Sequence, residues 1–311
     1  MKGKSLLLVV RPESLEDFRS IAKKIRKIDP YIDVLIFSVS VNSDQIPSHF
    51  LKQPLLAIYL VEPPPEDFEN SFPMLVVKKM NKYEEYVHFK KHNLPSLPIE
   101  PFYLGMTLDP LIYGEYVVLK PQNMQSTGKD VNMVPTKLIS TLKISDFPEG
   151  HLIHNDDYYV QKFLRTSYKP VHHRVTVFID EVILSSKTIL NSDYPPPSES
   201  LKDRLKKTIA ANDTANRQVW LFKDESINQF ALDVAKTFPK NVLFGLDILK
   251  EEETGKLYIL ETNIGGNVWH FSSDAGKVYR NDLGGRKPLI TQYNALDRVA
   301  ETIVRKMDEI N

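Results

Sequence analysis

Apolar positions first run without interruption from Leu6 to Val10, stop at Arg11 and Pro12, and then recur with helical spacing at Leu15, Phe18, Ala22 and Ile25. This is the pattern of a buried strand followed by an amphipathic helix, with Ser14 and Asp17 spaced as a capping box at the helix start. Further apolar runs at Val34–Val39, Leu55–Leu60 and Met74–Val77 are separated by segments of helical length. The first 80 residues or so therefore read as a small parallel α/β domain. The turn after the first run, VVRPESLED, lacks the glycines of a dinucleotide fingerprint, which disfavours an NAD site.

From Lys82 to His92 the chain reads as a helix, halted by Asn93 and by the prolines at 95, 98 and 101. Short strands follow at YVVLKP and DVNMVP, joined by the polar loop QNMQSTGK, and then at YYVQKFL. RVTVFIDEVILSSK reads as a hairpin turning near Asp180, and residues 191–225 as a loop and a solvated helix inserted between strands. Two helical stripes come later, Ile227, Phe230, Ala231, Val234, Ala235 and Phe238, then Leu296, Val299, Ala300, Ile303, Val304 and Met307. Between them, FGLDILK and LYILETN alternate with a period of two around a polar turn near Thr254. That register places Asp247 opposite Glu261, with Asn263 two residues on along the same face. Carboxylates about 5 Å apart across a strand pair repel each other. A hard, oxygen-seeking cation such as Mg2+ offsets that repulsion; a solvated hairpin face is the simpler alternative.

Composition narrows the function classes. Forty basic and forty acidic residues cancel, and 42% of residues are apolar. The whole chain thus carries no electrostatic footprint for nucleic acid or membrane. Cysteine is absent, which excludes disulfides, thiolate metal sites and a cysteine nucleophile and fits a cytoplasmic location. The first apolar run is too short for a signal peptide or a membrane span. No serine-hydrolase elbow is present. The STGK stretch at 126–129 fails as a Walker A motif, because Asn123 and Asp130 stand where glycine and Ser or Thr are required. His172 and His173 lack further histidines at zinc-ligand spacing, which leaves them as loop or substrate contacts.

The order of these features along residues 80 to 275 resembles the ATP-grasp superfamily, in its glutathione-synthetase-like and ribosomal-protein S6 modification ligase branch. They are a lysine opening a helix (Lys82), a strand-end lysine before a glycine loop (Lys120), VQKFL, HHRVTVFIDE, and Asp247 with Glu261 and Asn263. The resemblance implies an α/β fold with an α+β lid, in which the small parallel α/β domain (1–80) precedes an ATP-grasp domain (81–311). Its lid subdomain would span about 100–162 and its catalytic subdomain about 163–311. By the same resemblance Lys82 and Lys120 would contact nucleotide phosphates beneath a mobile loop of Gln125, Ser126, Thr127, Gly128 and Lys129. The segment Gln161, Lys162, Phe163 and Leu164 would read the adenine edge with its main chain. Arg174 would hold the transferred phosphoryl group, and Lys187 would stand in for an arginine often found further downstream. Asp247, Glu261 and Asn263 would bind magnesium, while His173, Gly265, Gly266, Asn267 and Trp269 would line the acceptor site. The family's loop often has more glycines than this one, an acidic residue common before the arginine is here His173, and NIGGNVWHF departs from the usual sequence after the metal ligands.

The expected activity is an ATP-dependent carboxylate–amine ligase that forms an amide through an acyl phosphate and releases ADP and phosphate. Its partners would be ATP, Mg2+, a carboxylate and an amine, with no nucleic acid or membrane. A kinase of the same fold acting on a hydroxyl, or a nucleotide-binding module without turnover, are the alternatives.

Overall fold

The computed structural model describes residues 3–38, 45–61, 72–77, 80–122, 128–210, 216–238 and 240–310. The chain runs β1 (Lys4–Val9), α1 (Leu15–Ile28), β2 (Ile32–Phe37), β3 (Leu55–Tyr59), β4 (Met74–Leu75), α2 (Lys82–Lys91), β5 (Ile99–Pro101), α3 (Pro110–Tyr113), β6 (Tyr116–Pro121), β7 (Asn132–Pro135) and β8 (Tyr158–Lys162). It continues through β9 (Val171–Phe178), β10 (Glu181–Leu190), α4 (Leu201–Arg204), β11 (Arg217–Leu221), α5 (Glu225–Ala235), β12 (Leu243–Lys250), β13 (Leu257–Ile264), α6 (Lys277–Asp282), α7 (Arg286–Tyr293) and α8 (Ala295–Asp308). These elements make three sheets.

The first sheet is parallel, in the order β2-β1-β3-β4. Its central strand is buried on both faces, which is why it reads as an unbroken apolar run. Leu6 and Leu8 pack with Phe18, Ile21 and Ile25 of α1 and with Val299 and Ile303 of α8, while Leu7 and Val9 face Phe50, Ala57 and Tyr59. The other two sheets are antiparallel: β5-β8-β6-β7, and β11-β10-β9-β12-β13. The α/β class expected from the sequence is the one observed. Among the described residues no helix is long and apolar enough to cross a membrane.

Two local expectations are corrected. Ser14 makes no side-chain cap to α1, and its buried hydroxyl has no partner among the described residues. Asp17, only 1% exposed, instead accepts from Trp269 Nε1 at 2.7 Å and from Arg286. A buried indole N–H and a guanidinium hold the carboxylate more strongly than a solvated helix end does. The insert at 191–225 holds a four-residue helix and a strand, β11, paired antiparallel to β10. It is not solvated throughout, since Arg204 and Leu205 are buried and Leu205 belongs to the core of the β5-β8-β6-β7 unit.

Candidate active site

Register assembles the site on one face of the five-stranded sheet. Asp247 of β12 stands opposite Glu261 of β13 on one side and Arg174 of β9 on the other, and Gly245 opposite Asn263. Period-two alternation then puts Arg174, Asp247, Glu261 and Asn263 on the same face. Arg174 grips Asp247 with both arms of its fork, Nε to Oδ1 at 2.7 Å and Nη2 to Oδ2 at 2.6 Å. Asn263 Nδ2 donates to Asp247 Oδ2 at 3.1 Å and to Glu261 Oε1 at 3.4 Å. Helix α2 adds a cation from its first residue. Asn81 caps it, with Glu84 closing a capping box, and this fixes Lys82 so that Nζ reaches Glu261 Oε2 at 2.9 Å. One turn on, Glu85 accepts from Thr262 Oγ1 and is buried. From the other antiparallel sheet, Lys120 of β6 bonds Gln161 Oε1 of β8 at 2.9 Å.

Burial and charge set the protonation of this cluster. Burial works against the Lys82 ammonium, but Glu261 beside it wins and raises its pKa. Burial likewise works against the Glu261 carboxylate, yet Lys82 and Lys120 hold it at about 2. Lys120, desolvated and close to Lys82, is pushed down to about 7. Glu85 is pushed up to about 8, chiefly by burial and further by Glu261. These groups open onto a cavity of about 430 Å³ that mixes apolar side chains, among them Val118, Phe163, Leu164 and Leu260, with the charged row. Residues 161–164 run along it. The N–H groups of Lys162 and Phe163 are engaged by Pro98 O and Tyr116 O, whereas that of Leu164 donates to no group among the described residues.

Neither a family model nor a curated protein matches the sequence. Solved structures do match the fold over nearly the whole chain. A RiPP-associated ATP-grasp ligase from Chryseobacterium gregarium, in complex with ADP and a leader and core peptide, superposes with a TM-score of 0.51 at 13% identity, covering 97% of each chain. D-alanine–D-alanine ligase from Bacillus anthracis superposes with a TM-score of 0.50 at 12% identity, covering 98% of this chain and 99% of that one. The chain has the ATP-grasp fold. Identity this low establishes the ATP-grasp architecture and leaves the branch and the chemistry to the site itself.

Within the ATP-grasp frame, the cavity gathers Lys82, Lys120, Gly128, Gln161, Lys162, Phe163, Leu164, Arg174, Asp247, Glu261 and Asn263. Gln125, Ser126 and Thr127 lie outside the described residues. Lys129 is exposed and does not line the cavity. Other expected residues are elsewhere. Lys187 pairs in register with His173, and Ser186 with Arg174, so Lys187 and His173 project from the opposite sheet face. There Lys187 Nζ sits 5.5 Å from the centre of the Phe222 ring, and His173, its pKa pushed down to about 4 by burial and Lys187, packs on the same ring. Trp269 is core, 4.8 Å from Phe18 between ring centres. Gly265 lies in the bend after β13 and Gly266 opens the 3-10 turn that follows, and Asn267, exposed, accepts from Ser273 Oγ through its carbonyl at 3.0 Å; neither Gly265 nor Asn267 lines the cavity. Conversely, the cavity includes Tyr194, Arg217 and Tyr279, which the sequence reading did not place there, and His172, which it read as a loop or substrate contact. Arg217 opens a strand hidden behind the insert, and Tyr279 sits on a short helix with no periodic signal; for both, contact depends on the tertiary fold.

Among the described residues no three His, Cys, Asp or Glu side chains cluster as a metal site. The candidate set is two carboxylates and one amide. Its donors are all oxygen once the Asn263 amide turns Oδ1 toward the carboxylates in place of Nδ2, which fits a hard dication such as magnesium and disfavours zinc.

Proposed function

We propose that the protein is an ATP-dependent carboxylate–amine ligase. One observation carries the reading: Lys82, Lys120 and Arg174 converge with Asp247, Glu261 and Asn263 on a cavity of about 430 Å³ whose wall also carries apolar side chains and the 161–164 segment. That combination suits a nucleotide. Val118, Phe163, Leu164 and Leu260 would enclose the base, with the unpaired Leu164 N–H facing an acceptor on its edge. Lys82 and Lys120 would hold the phosphates, and phosphate would return Lys120, near neutral in the free protein, to its charged form. Bound at Asp247, Glu261 and Asn263, magnesium would supply charge neutralisation across the phosphate oxygens.

A substrate carboxylate oxygen would attack the γ-phosphorus, and the bond to the bridging oxygen would break to release ADP. Arg174, held in place by Asp247, presents its remaining N–H groups where charge gathers on the transferred group. An amine would then attack the acyl carbon of the acyl phosphate; the C–N bond forms, the C–O bond to phosphate breaks, and the amine proton is lost. The chain's contribution is positioning and electrostatics.

The test is a thermal-shift titration with ATP, with and without magnesium, on the wild type and Glu261→Ala, followed by phosphate and ADP assays across acid and amine pairs. Ligand bound only to the folded state raises the melting temperature. A shift strengthened by magnesium in the wild type and lost in the variant, with acid- and amine-dependent release of both ADP and phosphate, is expected. ADP without phosphate would identify a kinase, and no shift at millimolar ATP would remove the nucleotide reading.

A further inference from the structure

Helix α2 does more than supply Lys82. β13 is an edge strand of the five-stranded sheet, and its outer side meets the chain that leaves α2: Ile259 N donates to Pro95 O at 2.8 Å, beside a bridge between Ile259 and Ser96. The helix itself straddles the strand. Lys82 reaches Glu261 on the charged face, while Phe89, two turns on, packs with Val175, Leu246, Ile248 and Ile259 on the apolar face. Between them stands Glu85, 4% exposed, which accepts from Thr262 Oγ1 and more weakly from Thr262 N at 3.5 Å.

Thr262 separates Glu261 from Asn263, and alternation turns its side chain away from theirs. Lys82 and Glu85, one turn apart on α2, therefore bond consecutive residues of β13. Two such bonds fix where the helix lies along the strand and how it is rotated about its own axis. Neither Lys82 nor Phe89 can do this alone. The lysine stem is flexible, and the apolar contact of Phe89 has no preferred direction and tolerates sliding.

A carboxyl is a costly choice for that place. It is desolvated, it lies near the Glu261 carboxylate, and Phe89 one turn on offers it only apolar company. Leucine would fill the space without that cost. A buried polar group that breaks the apolar pattern of a helix points to a requirement other than stability.

We propose that Glu85 is a positioning residue: through Thr262 it holds the Glu261–Asn263 stretch of β13 in register with Lys82. The cation for the phosphates and the oxygens for magnesium then keep a fixed spacing. This rests on the ligase reading of the site and adds to it the residue that sets its geometry from behind.

The experiment uses the full chain. It reads the melting-temperature shift given by a non-hydrolysable ATP analogue as Mg2+ is titrated, and Mn2+ binding in the presence of the analogue by electron paramagnetic resonance. Glu85→Gln keeps an oxygen for Thr262 and should need about as much Mg2+ as the wild type. The double variant Glu85→Leu, Thr262→Val replaces both partners by apolar groups, a change close to neutral for stability. It should melt without ligand near the wild-type temperature, yet need about tenfold more Mg2+ or beyond, and bind Mn2+ correspondingly weakly. If the double variant fails to fold, Thr262→Val alone carries the comparison and should raise the Mg2+ requirement in the same direction. An unchanged requirement in the folded apolar variant would overturn the positioning role. So would Glu85→Gln as impaired as that variant, or a requirement that rises only in step with lost stability. No shift from the analogue in the wild type would instead overturn the ligase reading.

Discussion

Replacing Lys120 by methionine should make the protein more stable and unable to bind nucleotide. Lys120 is 7% exposed and among the described residues its ammonium has one bond, to Gln161, with Lys82 close by. Its pKa falls from 10.5 to about 7. Between those values the unfolded chain binds more protons than the folded one, so stability rises with pH by about 1.4 kcal/mol per pH unit. At pH 7 the buried amine therefore costs roughly 4 kcal/mol relative to alkaline solution. Methionine fills similar space without charge, but it leaves Gln161 Oε1 unpaired at a cost of about 1–3 kcal/mol. The net gain at pH 7 is on the order of 1–3 kcal/mol. Glu85 titrates at about 8 with the opposite slope, so the clean window is pH 8 to 10, where Lys82 and Glu261 keep their charges. Urea denaturation there should show the wild type gaining about 3 kcal/mol relative to Lys120→Met. The ATP-induced thermal shift should vanish in the variant. Parallel stability curves for the two proteins across that window would refute the argument.

Glu85 is protonated in the folded state well above the ordinary carboxylate range, being raised from 4.5 to about 8 by burial. The folded chain therefore holds the extra proton between those values and wild-type stability falls as pH rises through them; Glu85→Gln should remove that fall, seen by urea denaturation at pH 5 and 7.5. Asp17→Ala strands Trp269 Nε1 and Arg286, and should cost about 2–4 kcal/mol by the same method. Asn132 donates to the carbonyls of Arg204, Leu205 and Lys207 and accepts from His151. Asn132→Ala should release the insert, so that limited trypsin digestion cleaves faster after Lys202, Lys206 and Lys207; an unchanged cleavage rate would show that the apolar seat of Leu205 suffices.

What the sequence made legible was local. The Asp247–Glu261 pairing followed from two strands of period two around a polar turn, and the observed register agrees despite a bulge just past Asp247. The α2 span was readable because Asn93 and the prolines downstream stop it, and the structure adds the Asn81 cap at its start. Lys187 was misplaced because a cation near the end of a strand can face either way, and the register that decides it is set by β9. Trp269 follows β13 closely, and no local pattern tells a pocket aromatic from one whose N–H is satisfied 252 residues away. Arg217 and α4 were hidden for a related reason: the insert leaves the five-stranded sheet, buries Leu205 in the β5-β8-β6-β7 unit and returns as an edge strand. Such a path has no period.

The ion pairs around the cavity explain how so charged a site stays folded without ligand. Lys82 occupies Glu261, Arg174 occupies Asp247, and Asn263 spans both carboxylates. Each buried charge is thus compensated by a group that nucleotide or metal binding would have to share or displace. Among the described residues Lys120 escapes this scheme, its ammonium hydrogen-bonded to a neutral amide. Burial pushes it down to about 7, with Glu261 opposing that fall across space without a direct contact. A phosphate there would gain more from binding than at a paired position, since it restores the ammonium and replaces no existing ion pair. It follows that salt should weaken ligand binding in the wild type less through Lys82 than through Lys120. The ATP-induced thermal shift, titrated against chloride, should keep most of its salt dependence in Lys82→Gln and lose most of it in Lys120→Gln. The reverse order would mean that the pairs, and not the unpaired cation, control entry of the anion.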